Sequence, residues 1–259
     1  MAEANDITGS VRAVQEQAVE SLKQFLFPRS ASIARAVSED AGEHWGTGSY
    51  LQFEERIFLL TNRHVAEESK ARTLSHVVKN EEQMAALSEP YLAAEEVDIA
   101  LMPIRPEIWV ATDKQAISLS AFDTERPAWD ELLMVVGFPY ATSRFSALAN
   151  AVRSKARPYI AQPDRALGDD GIHFWMKHRP RELRDEKGQA TDWIDPSGMS
   201  GSLVWNTGIV QSVRHGFSWS PDFIKPAGLL DASDHEKQAL RVIRLDVVRD
   251  VVRKMLRFD

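Results

Sequence analysis

The chain has 259 residues, 44% hydrophobic and 27% charged, with 13 Gly and 12 Pro; this balance excludes a disordered chain, a collagen-like repeat and a small stapled scaffold. Lys and Arg number 31 against 38 Asp and Glu, a formal net charge of −7, which argues against a dedicated nucleic-acid binder. Cysteine is absent, so thiolate nucleophiles, thiolate metal sites and disulfide frameworks are excluded.

The length suits one large domain or one domain built from two closely packed halves. No basic stretch followed by an apolar run opens the chain, and apolar runs such as Ile57-Phe58-Leu59-Leu60 are far too short to span a bilayer. The expectation is a soluble, cytoplasmic protein that binds neither membrane nor nucleic acid.

Ile7, Val11, Val14, Ala18, Leu22 and Phe25 recur every three or four residues, one face of a helix that Pro28 ends. Short apolar runs between polar or Gly-containing breaks follow. Ser32–Val37, Ser49–Phe53 and Arg56–Thr61 read as strands, the last two joined by a tight turn at Glu54-Glu55. Further strands are expected at Asp98–Met102, Leu132–Val136, Ile172–Met176, Ser202–Trp205 and Gly208–Val213. Val242, Ile243 and Leu245 finish another. Asp246 then caps a helix with Val248, Val251, Val252 and Met255 on its apolar side. Many short strands with irregular loops point to barrels or a sandwich. The charged stretch from Arg179 to Asp192 reads as a mobile loop.

Metal and phosphate motifs fail. His173 and His178 are five apart in an expected strand, an odd spacing that sends them to opposite faces. Gly46-Thr47-Gly48 has neither the further Gly nor the Lys-Ser/Thr of a nucleotide loop. No cofactor and no metal are expected.

Three segments remain. His64 stands just after the run Leu59-Leu60-Thr61. Asp98 opens the run Ile99-Ala100-Leu101. Ser200 lies in Gly198-Met199-Ser200-Gly201-Ser202, just before a strand. Each alone is also what a strand-end, cap or loop residue looks like. Together they supply what nucleophilic catalysis needs. A serine hydroxyl needs a base, imidazole is a base near neutral pH, and a carboxylate orients the imidazole. Glycine beside the nucleophile lets backbone N–H groups turn toward an oxyanion.

With Gly46-Thr47-Gly48 and Gly137-Phe138-Pro139, these segments resemble the trypsin-like (chymotrypsin-fold) serine peptidases. The closest flavour is the bacterial, disulfide-free type similar to the protease domain of HtrA proteins. The match runs from about Ser32 to about Val213. The resemblance implies a mainly β fold of two packed six-stranded barrels with the active site between them. The division it suggests is an N-terminal helix over 1–28, a first barrel over 29–125, a second over 126–245 and a C-terminal helix over 246–259. It implies His64 as general base, Asp98 as its orienter and Ser200 as nucleophile. The oxyanion hole falls at Gly198, Met199 and Ser200, with the Gly198 and Ser200 N–H groups as donors. The substrate would be a protein or peptide.

This chain departs from the family at three places. Ser202 stands where Gly is common, Arg63 where Ala or Gly precedes the His, and Met199 where the digestive members carry an Asp. With no Asp before the serine, N-terminal cleavage is not expected to be needed for activation. Asp195 is read either as an acidic pocket residue or as the cap of a turn. Trp45, Trp175 and Trp205 are expected in the core. Other roles stay open: a protease-like peptide-binding or scaffold module, or an effector of bacterial stress or defence activated by a regulatory protein partner, with the N-terminal helix either docking that partner or packing on the barrels.

Overall fold

The computed structural model describes residues 2–38, 40–79, 83–87, 90–123, 125–147, 150–178 and 195–257. The loop expected from Arg179 to Asp192, and the neighbouring Trp193 and Ile194, lie outside the described residues. Among the described residues, no helix is long and apolar enough to cross a membrane.

Helix α1 (Ala2–Leu26) passes into a 3-10 turn through Pro28. Ala18, Leu22 and Leu26 are fully buried and share a core with Trp205, Ile209 and Ile224. Phe25 meets Trp205 edge-on at 5.7 Å. The apolar face legible in the sequence therefore packs on the second half of the protein. Burying side chains of this size contributes roughly 1.5–3 kcal/mol each.

The first half is a mainly antiparallel sheet. Its strands are β1 (Ser30–Ser38), β2 (Ala41–Phe53), β3 (Arg56–Thr61), β4 (Leu74–Lys79), β5 (Gln83–Leu87), β6 (Leu92–Ala93), β7 (Ala100–Ile104) and β8 (Ile117–Ser118). The order is β5-β4-β1-β2-β3-β7-β6, with β8 parallel to β2. The turn between β2 and β3 puts Glu54 at φ 53°. The short helix α2 (Arg63–Glu67) follows β3, and α3 (Pro106–Trp109) follows β7.

In the second half, β9 (Leu133–Gly137) precedes the hairpin of β10 (Ser143–Ser146) and β11 (Ala151–Ser154). β12 (Arg157–Ala161), β13 (His173–Lys177), β14 (Leu203–Asn206), β15 (Lys225–Asp234) and β16 (Ala239–Arg244) complete a six-stranded sheet with β9. Its order is β12-β9-β14-β15-β16-β13. Past β12 the chain reaches the far edge. Lys177 N donates to Gln162 O at 3.0 Å and Asp164 N to Trp175 O at 2.7 Å, around a Pro163–Met176 bridge.

The fold is thus mainly β, as the motifs imply, but the strand count differs from two sixes. The first sheet carries eight strands, because β6 and β8 add two-residue pairings that no run in the sequence announces. Among the described residues its edge strands, β5 and β6, share no ladder.

One expected strand is a helix. Ile209–Arg214 forms α4, not an extension of β14. Gly208 turns the chain at φ 66°. The buried Glu131 carboxylate then accepts from Val210 N (2.9 Å) and Gln211 N (3.0 Å). These are the orphan donors of a first helical turn, and an anion there is favoured. Glu131 is distant in sequence, so the local apolar run reads equally well as a strand. The C-terminal helix, α5, spans Leu245–Arg257. Asp246 sits inside its first turn and pairs with Arg244 through both oxygens, at 3.0 and 2.5 Å.

Candidate active site

The pairing of β3 with β7 brings the histidine and the aspartate together. Thr61 is opposite Ala100 and Leu60 opposite Leu101. His64 lies three residues past one strand end and Asp98 two before the other, so both emerge at the same edge. Asp98 Oδ2 lies 2.6 Å from His64 Nδ1, and Asp98 Oδ1 accepts the His64 backbone N–H at 2.9 Å. Asn62 Nδ2 holds the Asp98 carbonyl oxygen at 2.8 Å. Arg63, the departure before the histidine, donates to Glu95 O at 3.0 Å. It ties α2 to the loop that carries Asp98.

Burial pushes the Asp98 carboxyl upward, but the His64 side-chain and backbone hydrogen bonds outweigh it and hold the group below the usual carboxylate range. The anion is therefore the favoured form beside the imidazole. It fixes Nδ1 as the protonated ring nitrogen and leaves Nε2 as the basic one.

The serine loop is anchored from both halves. Thr47, the centre of Gly46-Thr47-Gly48, donates its N–H to Ser200 O at 3.0 Å and its hydroxyl to Gly198 O at 2.8 Å. Its own carbonyl accepts from Thr61 Oγ1 at 2.7 Å. Gly201 has φ 88°, and a Cβ there would lie 2.1 Å from Thr47 O. That glycine is required by both backbone angle and space. Gly137 at the end of β9 has the same function for packing, since a Cβ there would meet Ser202 Oγ at 2.5 Å.

A buried network fixes the Gly198 peptide. His44 Nε2 is 3.0 Å from Gly198 O, and His44 Nδ1 is 3.0 Å from Ser32 Oγ. Burial lowers the His44 pKa to about 4, against hydrogen bonds to the Gly198 and Phe138 backbone that raise it. The ring is therefore neutral at physiological pH, donating from Nε2 to the carbonyl and accepting at Nδ1 from Ser32. With Gly198 O held inward, Met199 N closes a turn onto Pro196 O at 2.9 Å. Among the described residues, the Gly198 and Ser200 N–H groups have no protein acceptor. Two free donors flanking a tethered one is the arrangement an oxyanion hole needs. In such a hole Met199 would be only the spacer. Its side chain is buried with Leu133, Val135 and Val204.

Ser200 shares a cleft of about 450 Å³ with Trp45, His64, Asp98, Asp231 and Arg241. Its hydroxyl donates to Asp231 O at 3.4 Å, and among the described residues that carbonyl, not the imidazole, is its acceptor. The other two serines are otherwise engaged. Ser197 donates from N (2.9 Å) and Oγ (2.7 Å) to Asp195, so Asp195 caps this turn. Ser202 Oγ is fully buried and donates to Met199 O at 2.6 Å. Its N–H closes the turn onto the same carbonyl rather than entering the sheet ladder.

Trp205 is in the core as expected, at 2% exposure. Trp45 is not: half-buried, it lines the cleft with the Arg35 guanidinium 3.7 Å over its ring. Trp175 is also half-buried and carries Lys237 at 4.2 Å. Sequence reasoning missed Asp231, which lines the cleft at 4% exposure. The one signal for it was an acid inside the apolar run Gly228-Leu229-Leu230-Asp231.

No protein-family model matches this chain, and no curated protein matches it in sequence. Solved structures match it in shape. Human heparin binding protein aligns with a TM-score of 0.51 at 12% identity, over 89% of this chain and 92% of that one. A point mutant of the same protein, CAP37, gives 0.54 at 13% identity over the same shares. The MamO protease domain from Magnetospirillum magneticum aligns at 0.49, with 8% identity over 85% of this chain and 94% of that one. The likeness to heparin binding protein gives this chain the trypsin-like fold that its motifs resemble.

Proposed function

We propose that the chain is a serine endopeptidase of the bacterial, disulfide-free, trypsin-like type, cutting peptide bonds through an acyl-enzyme. The observation that carries this reading is the meeting, in one cleft, of the His64–Asp98 pair and a serine loop with two N–H donors that have no acceptor among the described residues. His64 Nε2 takes the Ser200 proton as Oγ attacks the scissile carbonyl. The Gly198 and Ser200 N–H groups receive the developing oxyanion. His64 then protonates the leaving amine, and water repeats the sequence to release the acid. Asp98 stabilises the imidazolium in both steps. Cofactor and metal have no part in this chemistry.

One observation favours a second reading. The Ser200 hydroxyl rests on Asp231 O, so a cleft that binds peptide without turnover, or one activated by a regulatory partner, also fits. Labelling with a fluorophosphonate and locating the adduct by mass spectrometry decides between them. An adduct on Ser200 that is lost in Ser200→Ala supports the peptidase. Absence of labelling, with peptide still bound, supports the binding module.

A further inference from the structure

Trp45 has no partner in the ladder that surrounds it. On β1, Ile33 is opposite Gly46 and the next residue, Ala34, is opposite His44. Trp45 is therefore the extra residue of a β-bulge, a device that re-aims one side chain out of a strand's alternation. His44 before it is buried and reaches Gly198 O. The Trp45 indole is half-buried and lines the cleft with His64 and Ser200.

The ring is held in that place. Its Nε1–H donates to Val65 O at 3.2 Å, on the helix that carries His64. Gly46 permits this approach, since a Cβ there would lie 2.7 Å from Val65 Cγ1. The Arg35 guanidinium stands 3.7 Å over the ring. Arg35 is itself clamped, with Nε donating to Glu43 at 2.7 Å and Nη1 to Glu68 at 2.9 Å. Two carboxylates share one guanidinium, so this corner offers a ligand no net positive charge. What it offers is indole. An aromatic ring fixed before a ligand arrives gives a large apolar contact at little further ordering cost.

The two walls of the cleft have different parts in the hydrolysis. The acyl group stays on Ser200, in the second half, beside Leu230 and Ser233 of β15. The leaving amine takes its proton from His64, in the first half. Trp45 is bonded to the residue that follows His64, so it borders the path of the substrate beyond the scissile bond. We propose that Trp45 is a specificity-determining residue of the leaving-group side. It is a shelf that favours a large apolar residue at the first or second position after the scissile bond and disfavours an acidic one, which Glu43 and Glu68 repel. The inference rests on the peptidase reading and adds a substrate class to it.

The test uses peptides that differ only at those two positions, carrying Phe, Leu, Gly or Asp. They are given to the wild type, Trp45→Phe, Trp45→Ala and Trp45→Ser. A peptidyl aminocoumarin, which has no residue after the scissile bond, gives the reference rate for each variant, so a partial folding defect cancels in the ratio. The wild type is expected to cleave the Phe peptide on the order of tenfold better than the Gly peptide in kcat/KM, and the Asp peptide worst. Trp45→Phe keeps most of that preference, and the two ring-free variants bring the Phe-to-Gly ratio close to one. A wild type without the preference, or ring-free variants that retain it, overturns the inference. Should the wild type cleave neither the aminocoumarin nor any peptide, the peptidase reading fails by itself. Calorimetric binding of the same peptides then decides the shelf. The Phe peptide must bind the wild type severalfold tighter than the Gly peptide, with the difference lost in Trp45→Ala; equal binding to the wild type rejects it.

Discussion

Gly198→Ala tests the heart of the site. Gly198 has φ 93°, where an L side chain is strained, at a cost of about 1–3 kcal/mol. The added Cβ would lie 2.8 Å from His44 Cδ2 and Nε2 and 3.0 Å from Phe138 O. Neither neighbour can retreat: the His44 ring is held by Ser32 at 3.0 Å, and the Phe138 oxygen is backbone. The loop itself must therefore move, taking the Gly198 N–H out of line with that of Ser200. Losing one oxyanion donor costs on the order of 10²–10³ in kcat. For a chain of this size, each kcal/mol of strain lowers Tm by about 2–4 °C. The assay is steady-state hydrolysis of one peptide beside thermal melting. The reasoning predicts a large fall in kcat, a nearly constant KM and a lower Tm. A variant with lowered Tm but wild-type kcat would refute the role of the Gly198 N–H. A variant unchanged in both would refute the loop geometry.

Ser200→Ala is expected to remove nearly all hydrolysis and fluorophosphonate labelling, with Ser202→Ala and Ser197→Ala affecting activity far less and costing about 1 kcal/mol of stability each; substantial activity in Ser200→Ala overturns the assignment. Asp98→Asn, with His64 Nδ1 left facing the wrong tautomer partner, is expected to lose on the order of 10⁴ in kcat; wild-type-like turnover would identify another acid. Stability should fall as pH drops below 6.5, because burial lowers the pKa of His44 and of His76 to about 4. The unfolded chain binds those protons first, so the contribution is complete above pH 6.5 and shrinks by about 2 kcal/mol per ring at pH 5. A urea midpoint that is flat from pH 7 to 5 contradicts this, and His44→Gln should flatten part of the slope.

The elements that carry their own local signal were legible. Apolar residues at helical spacing located α1; that its face packs beside Trp205 was decided by the structure. Alternation and short apolar runs located β1, β3, β9 and β14. The three candidate segments stand out in the sequence because each joins a polar side chain to a strand end, and glycine at positions 198 and 201 marks backbone angles that other residues resist.

Contacts between residues far apart in sequence decided the rest. Whether Ile209–Arg214 is strand or helix depended on Glu131, some eighty positions earlier, reaching the two N–H groups of its first turn. Period-2 and period-3.6 patterns cannot be separated over six apolar-rich residues. The β3–β7 register alone set Asp98 against His64. Thr47 and His44 became supports of the Gly198 peptide through hydrogen bonds spanning some 150 residues. Asp231 looked like an interruption of an apolar strand. Its place in one cleft with Asp98 exists because the packed halves of the fold bring the two acids to the same cleft, and a chain read one window at a time holds no record of that meeting.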